Sequence, residues 1–123
     1  MRYLLVGAGG FLGANARYLV SLGLSRWWGH SFPLGTMLIN VTGSFVLAFF
    51  VAYGLRRLGV PDAYRLLFAV GFLGSYTTFS TLTQETMERA AHGQIIQAAV
   101  YAGGSLLLGL LAAVIGNVLG SAV

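Results

Sequence analysis

The chain has 123 residues, of which 57% are hydrophobic and only 8% are charged. Soluble domains carry about 25% charged residues, so this composition excludes an ordinary soluble domain and predicts an integral membrane protein. A spanning helix needs about 20 apolar residues, so residues 1–123 are predicted to form one transmembrane domain of four helices. The net charge of +4 comes from scattered arginines, which does not favour a nucleic-acid partner. The sequence has no cysteine, which excludes disulfides.

The first predicted span covers about residues 3–22 and is rich in glycine. Glycines at positions 7, 10 and 13 recur every three residues and predict a flat face for close helix packing. The apolar run before Ala14-Asn15-Ala16 is also compatible with a cleaved signal peptide, which would leave three spans in the mature chain.

Charged and aromatic residues mark the ends of the predicted spans. In the first loop, residues 23–33, the pair Trp27-Trp28 is typical of a membrane interface, whereas His30 has no predicted ligand role. Arg17 is interpreted either as an interface residue with its charge extended to the headgroups or as a vestibule arginine that attracts anions. Glu85, at the end of the third span, belongs either to a solvated helix end or to a pore mouth.

The second predicted span covers about residues 34–54. Thr36, Asn40 and Ser44 recur at intervals of four and therefore lie on one helix face. An amide in the middle of a membrane must be hydrogen-bonded or face water, which makes Asn40 the informative residue. Both pore lining and hydrogen bonding between helices stay open as interpretations of it.

The third predicted span, about residues 66–86, has an apolar start and a polar middle. Irregular backbone in a membrane survives only where protein or a cavity surrounds it, and helix breaks inside spans form binding sites. For one or two hydroxyl residues, bonding back to their own helix carbonyls would be the simpler interpretation. A functional site is predicted here from a larger set: Ser75, Thr77, Thr78, Ser80, Thr81 and Thr83.

The fourth predicted span covers about residues 95–119 and carries Tyr101, Ser105 and Gly109 on one face. Tyrosine is most common at membrane interfaces. Because Tyr101 lies nearly two turns inside the span, it is predicted to be a functional hydrogen-bond donor.

The arginines predict little about orientation. Four spans place nearly equal numbers of arginines on the two sides of the membrane, so the positive-inside rule does not choose between them. A chain that inserts both ways can form an antiparallel homodimer, whose two-fold axis lies in the membrane plane and duplicates every site.

These residues together resemble the Fluc (CrcB) family of fluoride channels over essentially the whole chain. Each glycine pattern alone is weak, but their order, the hydroxyl-rich run and the chain length make the set specific. The matching residues are Gly13-Ala14 with Arg17-Tyr18, Gly35-Thr36 with Asn40 and Gly43, and Gly71-Phe72-Leu73-Gly74 leading into Thr77-Thr78-Phe79-Ser80-Thr81 and Glu85.

The resemblance implies an all-α, dual-topology homodimer in the bacterial cell membrane, with a break in the third span and two parallel pores at the subunit interface. It implies a structural sodium ion at the dimer centre, held by backbone carbonyls of the positions that match Gly74 and Thr77. The implied activity is passive export of fluoride, which protects the cell. The pore positions that follow are Asn40, Phe79, Tyr101 and Ser105, with Thr36 and Ser80 beside them.

Three positions depart from the family pattern. Leu82 stands where the family has its second pore phenylalanine, and a leucine has no positive ring edge to offer an anion. Ser75 replaces a glycine often found after Gly74, and Gly109 stands where some members have a further serine. One pore station and the surroundings of the sodium site therefore differ from the pattern.

The donor types suit fluoride, which is small and strongly hydrated, so that a pore must replace its water with donors at close range. Asn40 offers an amide, and Thr36, Tyr101 and Ser105 offer hydroxyls. The electropositive edge of the Phe79 ring can contact an anion without holding it irreversibly, as conduction requires.

Two other kinds of membrane protein fit the chain length. A small proton-coupled multidrug exporter needs a carboxylate within the membrane, but Asp62, Glu85 and Glu88 are all predicted in loops or at span ends. In a non-conducting assembly protein, replacing Asn40 by an apolar residue would change dimerisation and not ion flux. No enzyme is predicted, because the sequence offers no nucleophile–base pair or metal-ligand cluster.

Overall fold

The computed structural model of the chain describes residues 1–29 and 33–123, so His30 lies outside the described residues. All regular secondary structure in these ranges is helical, which confirms the all-α prediction. Two segments are π-helices, which have wider turns than an α-helix. The elements are α1 (Arg2–Trp28), α2 (Leu34–Phe49), π1 (Phe50–Arg57), α3 (Asp62–Tyr64), π2 (Arg65–Leu73), α4 (Gly74–Tyr76), α5 (Phe79–Ala91) and α6 (Ile95–Ala122).

Within the described residues, three stretches are long and apolar enough to cross a membrane: Leu34–Arg57, Asp62–Ala91 and Ile95–Ala122. Helix α1 has a comparable length of 27 residues, but glycines, Asn15 and Arg17 dilute its apolar character. It continues through Trp28, so residues 23–28, predicted to belong to the first loop, are helical.

Helix α1 packs against π2 by direct contact between the two backbones. A Cβ atom added at Gly9 would collide with the carbonyl oxygen of Leu67, and one added at Gly13 would collide with that of Phe72. From the opposite side, a Cβ atom at Gly71 would lie 3.0 Å from the Cα atom of Gly9. Glycine is therefore required at these three positions for the helices to approach this closely.

Of the glycine face predicted at positions 7, 10 and 13, close packing is confirmed at Gly13, whereas Gly7 was wrong and Gly9 takes part instead. Gly7 is exposed, and nothing lies within 4 Å of a Cβ atom added there. Gly10 comes close only to the hydroxyl of Ser75, at 3.1 Å from an added Cβ atom. Positions 7, 10 and 13 turn through about 120° around the helix axis, whereas Gly9 and Gly13 differ by about 40° and share one face.

Helix α6 packs along α2 and π1 in a similar way. A Cβ atom added at Gly116 would collide with the carbonyl oxygen of Phe45, and one at Gly120 would lie 2.8 Å from that of Phe49. Helix α5 also contacts α6. The polar residues of α2, α5 and α6 therefore meet inside the packing of these three helices.

Between α4 and α5 the backbone is extended at Thr77 (φ −77°, ψ 157°) and Thr78 (φ −151°, ψ 115°). Gly43 of α2 leaves room for this pair, because an added Cβ atom would collide with the methyl group of Thr77. One residue earlier, the hydroxyl of Tyr76 lies 3.1 Å from the hydroxyl of Thr42. Helix α2 thus follows the extended pair closely along one side.

Candidate functional site

A carboxylate held by two hydroxyl groups joins three helices. Glu85 of α5 is half-buried, and its Oε1 accepts a hydrogen bond from the Thr36 hydroxyl of α2 at 3.0 Å. Its Oε2 accepts one from the Tyr101 hydroxyl of α6 at 2.6 Å. Hydrogen bonds to an ionised acceptor are about twice as strong as neutral ones. We call these three residues the carboxylate cluster.

Helix α6 contributes two buried polar side chains on one face. Tyr101 is 1% exposed, and Ser105, one turn further on, is 4% exposed. The guanidinium carbon of Arg89 lies 5.9 Å from the ring centroid of Tyr101, within cation–π range. The Ser105 hydroxyl has no hydrogen-bond partner among the residues that the structure describes. A buried hydroxyl in this condition costs free energy, and it retains its full capacity to bind a polar ligand.

Asn40 forms a reciprocal pair of hydrogen bonds with the backbone of Thr78. Its Nδ2 donates to the Thr78 carbonyl oxygen at 2.9 Å, and its Oδ1 accepts from the Thr78 N–H at 2.8 Å. Both polar groups of a non-helical residue are thereby satisfied, which is essential where no water can replace them. The pair uses one of the two amide hydrogens of Asn40, so the second is left for another acceptor.

Two backbone donors beside the extended pair are directed away from their usual helical acceptors. In a continuous helix, the N–H of Thr78 would donate to the carbonyl of Gly74, and the N–H of Thr81 would donate to the carbonyl of Thr77. Here the Thr78 N–H donates to Asn40, and the Thr81 N–H donates to the Thr78 hydroxyl at 3.3 Å. Within residues 1–29 and 33–123, no hydrogen bond reaches the carbonyl oxygen of Gly74 or Thr77.

Two cavities reach the carboxylate cluster. The larger, of about 660 Å³, is lined by Glu85 and Arg89 among others. The smaller, of about 270 Å³, is lined by Arg17 and Thr78. Their common lining residues are Ser21, Thr36 and Thr81. Arg17, predicted as a vestibule residue, therefore lies in a cavity that borders the cluster.

The first turn of α5 carries three further predicted site residues. Phe79 is 77% exposed and Leu82 is half-buried. Ser80 is exposed, and its hydroxyl lies 3.3 Å from that of Thr78. The structure of one chain does not bring these three residues into the carboxylate cluster.

Arg89 was not singled out from the sequence, and Thr78 was predicted only as one member of the hydroxyl-rich set, although local signals were present for both. A hydroxyl residue that precedes a helix commonly accepts from the N–H three residues later, and Thr78 caps α5 through Thr81 in this way. Arg89 follows Glu85 by four residues, which places both on one helix face. Both signals were hidden among many hydroxyls and scattered arginines.

These features define a class of protein: an all-helical, multi-pass membrane protein with hydrogen-bond donors inside its helix packing. The family described as CrcB-like protein, Camphor Resistance (CrcB), matches residues 4–117. The chain belongs to this family, as the resemblance predicted.

Bacterial relatives align with nearly the full chain. A protein of Acidobacterium capsulatum is 45% identical over 121 residues, which cover 98% of this chain and 97% of the relative. One of Nitrobacter winogradskyi is 43% identical over 113 residues, covering 92% and 90%. One of a Hydrogenobaculum species is 42% identical over 120 residues, covering 98% of each. All three are named fluoride-specific ion channel FluC.

Proposed function

We propose that this chain forms a fluoride channel that exports the anion passively, and that it is neither an enzyme nor a pump. The carboxylate cluster carries the proposal. Thr36 and Tyr101 already hold a negatively charged oxygen with hydroxyl donors at 3.0 and 2.6 Å. Fluoride needs the same thing, donors at close range in place of water. The names of the three relatives support fluoride as the ion.

The ion path runs along the polar face of α6. Fluoride takes the place of the Glu85 carboxylate between its two hydroxyl donors, which requires this side chain to swing aside. The next donor is the Ser105 hydroxyl, one turn further along α6 and without a protein partner among the described residues. The second amide hydrogen of Asn40 and the edge of the Phe79 ring supply further contacts. Several weak stations in series allow an ion to enter and to leave.

The functional unit is an antiparallel homodimer with four spans in each chain and two pores. Helix α1, at 27 residues, is about 40 Å long and so has the length to form the fourth span. Phe79, 77% exposed in one chain, is a large apolar side chain beside polar neighbours. A second copy related by a two-fold axis covers it and brings its ring to the pore, with the same contacts repeated on the other side.

A structural sodium ion at the dimer centre is part of this proposal. The carbonyl oxygens of Gly74 and Thr77 fit the role, because the backbone donors that would occupy them in a helix are bonded elsewhere. Carbonyls freed at an interrupted helix are suited to sodium. Gly74 is exposed in one chain, so a second copy can approach it. The ion would supply positive charge that joins two like subunits.

One observation favours the alternative of a proton-coupled exporter, since Glu85 is half-buried rather than fully solvated. Such an exporter would move cations only when a proton gradient drives it. A channel would pass fluoride down its own gradient, with or without a difference in pH.

Fluoride efflux from liposomes that contain the purified protein tests the proposal. A fluoride electrode should record efflux at equal pH on both sides, with chloride efflux absent. The double variant Thr36→Val and Tyr101→Phe removes both donors and should lose the flux. Ser121→Ala is the matched control, because its hydroxyl, at an exposed site, donates to the carbonyl of Asn117 of the same helix. A folded dimer without fluoride flux, or flux that depends on a pH gradient, would overturn the proposal.

A further inference from the structure

Asn40 is placed to do more than line a pore. We propose that Asn40 positions the sodium site, because its carbonyl oxygen captures the Thr78 N–H and so leaves the carbonyl of Gly74 free to bind the ion. The inference rests on the proposed sodium ion and assigns to Asn40 a role in building its site. Asn40 acts on the ion through Thr78 and does not touch it.

Two acceptors compete for one backbone hydrogen. The Thr78 N–H has two acceptors within its conformational reach, the Gly74 carbonyl four residues earlier and the Asn40 side chain of α2. The bond to Asn40 is 2.8 Å long and is matched by the return bond from its Nδ2 to the Thr78 carbonyl at 2.9 Å. A planar amide offers an acceptor and a donor side by side. The two bonds together therefore stabilise the extended conformation of Thr78 relative to the helical one.

Without the Asn40 acceptor, the outcome is reversed. A buried backbone N–H must find a partner, since leaving it bare costs several kcal/mol in a membrane. The nearest remaining acceptor is the Gly74 carbonyl, and bonding there would extend α4 through Thr78. The same bond would occupy the oxygen that the cation needs. Loss of the Asn40 acceptor therefore closes the sodium site through the backbone.

The second carbonyl of the site is freed in a parallel way. The Thr81 N–H donates to the Thr78 hydroxyl at 3.3 Å instead of to the carbonyl of Thr77. The Thr78 hydroxyl in turn donates to the Thr81 hydroxyl at 3.0 Å, which fixes its orientation. Asn40 thus keeps the Thr78 N–H from the Gly74 carbonyl, and the Thr78 hydroxyl keeps the Thr81 N–H from the Thr77 carbonyl.

Other contacts of α2 with this segment do not redirect a backbone donor, which provides a control. The hydroxyl of Thr42 lies 3.1 Å from that of Tyr76 and also donates to the Leu38 carbonyl. Thr42→Val removes these bonds with little change in volume. If contact with α2 were all that mattered, Thr42→Val would weaken sodium binding as Asn40→Ala does.

The first test is the sodium dependence of the melting temperature of purified protein, with N-methylglucamine replacing sodium. Sodium should stabilise the wild-type protein. In Asn40→Ala, the sodium concentration that gives half of the stabilising shift should rise by about tenfold or more. A tenfold rise corresponds to about 1.4 kcal/mol, which is the size of one hydrogen bond. Thr42→Val, which leaves both bonds between Asn40 and Thr78 in place, should retain the response. A wild-type response in Asn40→Ala, or an equal loss in Thr42→Val, would overturn the inference.

The second test works on the wild-type protein and needs neither sodium nor fluoride. Hydrogen exchange of the Thr78 amide, followed by NMR, should be slow although Thr78 is outside any helix. Exchange as fast as for an unbonded amide would overturn the inference even if Asn40→Ala does not fold. Fluoride efflux is measured separately. If the chain is a channel but Asn40 does not position the sodium site, efflux is present while the two tests fail. If the chain is not a channel, efflux itself is absent.

Discussion

The Tyr101 hydroxyl donates a 2.6 Å hydrogen bond to the Glu85 carboxylate, and it does so from a side chain that is only 1% exposed. The bond joins α6 to α5 across a loop of three residues, and Thr36 extends the connection to α2. A charged acceptor therefore links three helices at the edge of a cavity. This arrangement is both a structural tie and a ready set of donors for an anion.

Tyr101→Phe should weaken both roles. The variant removes a hydrogen bond to a charged group, and such a bond is worth about 1.5–3 kcal/mol. We expect the free energy of unfolding to decrease by an amount near the lower end of this range, because Glu85 is half-buried and can turn to water. Fluoride efflux should fall as well. Thermal unfolding in detergent and liposome efflux measure the two effects. Tyr64→Phe is the control, since Tyr64 is 57% exposed, and an equal loss there would contradict the assignment.

Helix α1 should respond very differently to alanine at two of its glycines. At Gly13 the added methyl group would collide with the carbonyl of Phe72, and a backbone neighbour cannot move aside cheaply. We expect Gly13→Ala to lower the free energy of unfolding by about 3 kcal/mol or more. Gly7→Ala meets nothing within 4 Å and should raise it by up to about 1 kcal/mol through better helix propensity. Melting temperatures of the two variants check this contrast, and similar shifts for both would refute the packing of α1 on π2.

Much of the architecture could be predicted because membrane composition and helix periodicity are strong signals. The apolar character of Leu34–Arg57 and Ile95–Ala122 follows from sequence alone, and so does the all-α class. The resemblance also predicted the family correctly. Among the site residues, spacing by four placed Tyr101 and Ser105 on one buried face of α6, where the structure has them.

What could not be predicted depended on partners distant in sequence. Whether Asn40 meets water, lipid or protein is decided by the backbone of Thr78, 38 residues away. The packing register of α1 likewise depends on where the carbonyls of Leu67 and Phe72 fall. A glycine pattern within one helix shows that close packing is possible but does not choose the face.

Ser105→Ala should make the protein more stable and less active. The Ser105 hydroxyl is buried without a partner in the described part of the chain, so removing it relieves a desolvation cost of about 1–3 kcal/mol. If the hydroxyl is a station for fluoride, efflux should nevertheless fall. A merely structural hydroxyl would not give this opposite pair of changes, which are measured by melting temperature and liposome efflux. Ser44→Ala, whose hydroxyl donates to the carbonyl of Asn40, is the stability control and should not be stabilising.

Phe79→Leu and Leu82→Phe should differ in their effect on fluoride efflux. Phe79→Leu removes the electropositive ring edge that this turn offers to the proposed pore. We expect efflux to drop by about tenfold or more, which corresponds to fluoride binding at this position being weaker by about 1.4 kcal/mol or more. Leu82→Phe restores the aromatic residue of the family pattern and should maintain or increase efflux. Because Phe79 is 77% exposed in one chain, Phe79→Leu should leave the fold of the chain intact, which circular dichroism checks. Undiminished flux in Phe79→Leu would show that the ion does not pass this ring and that the polar face of α6 forms the path by itself.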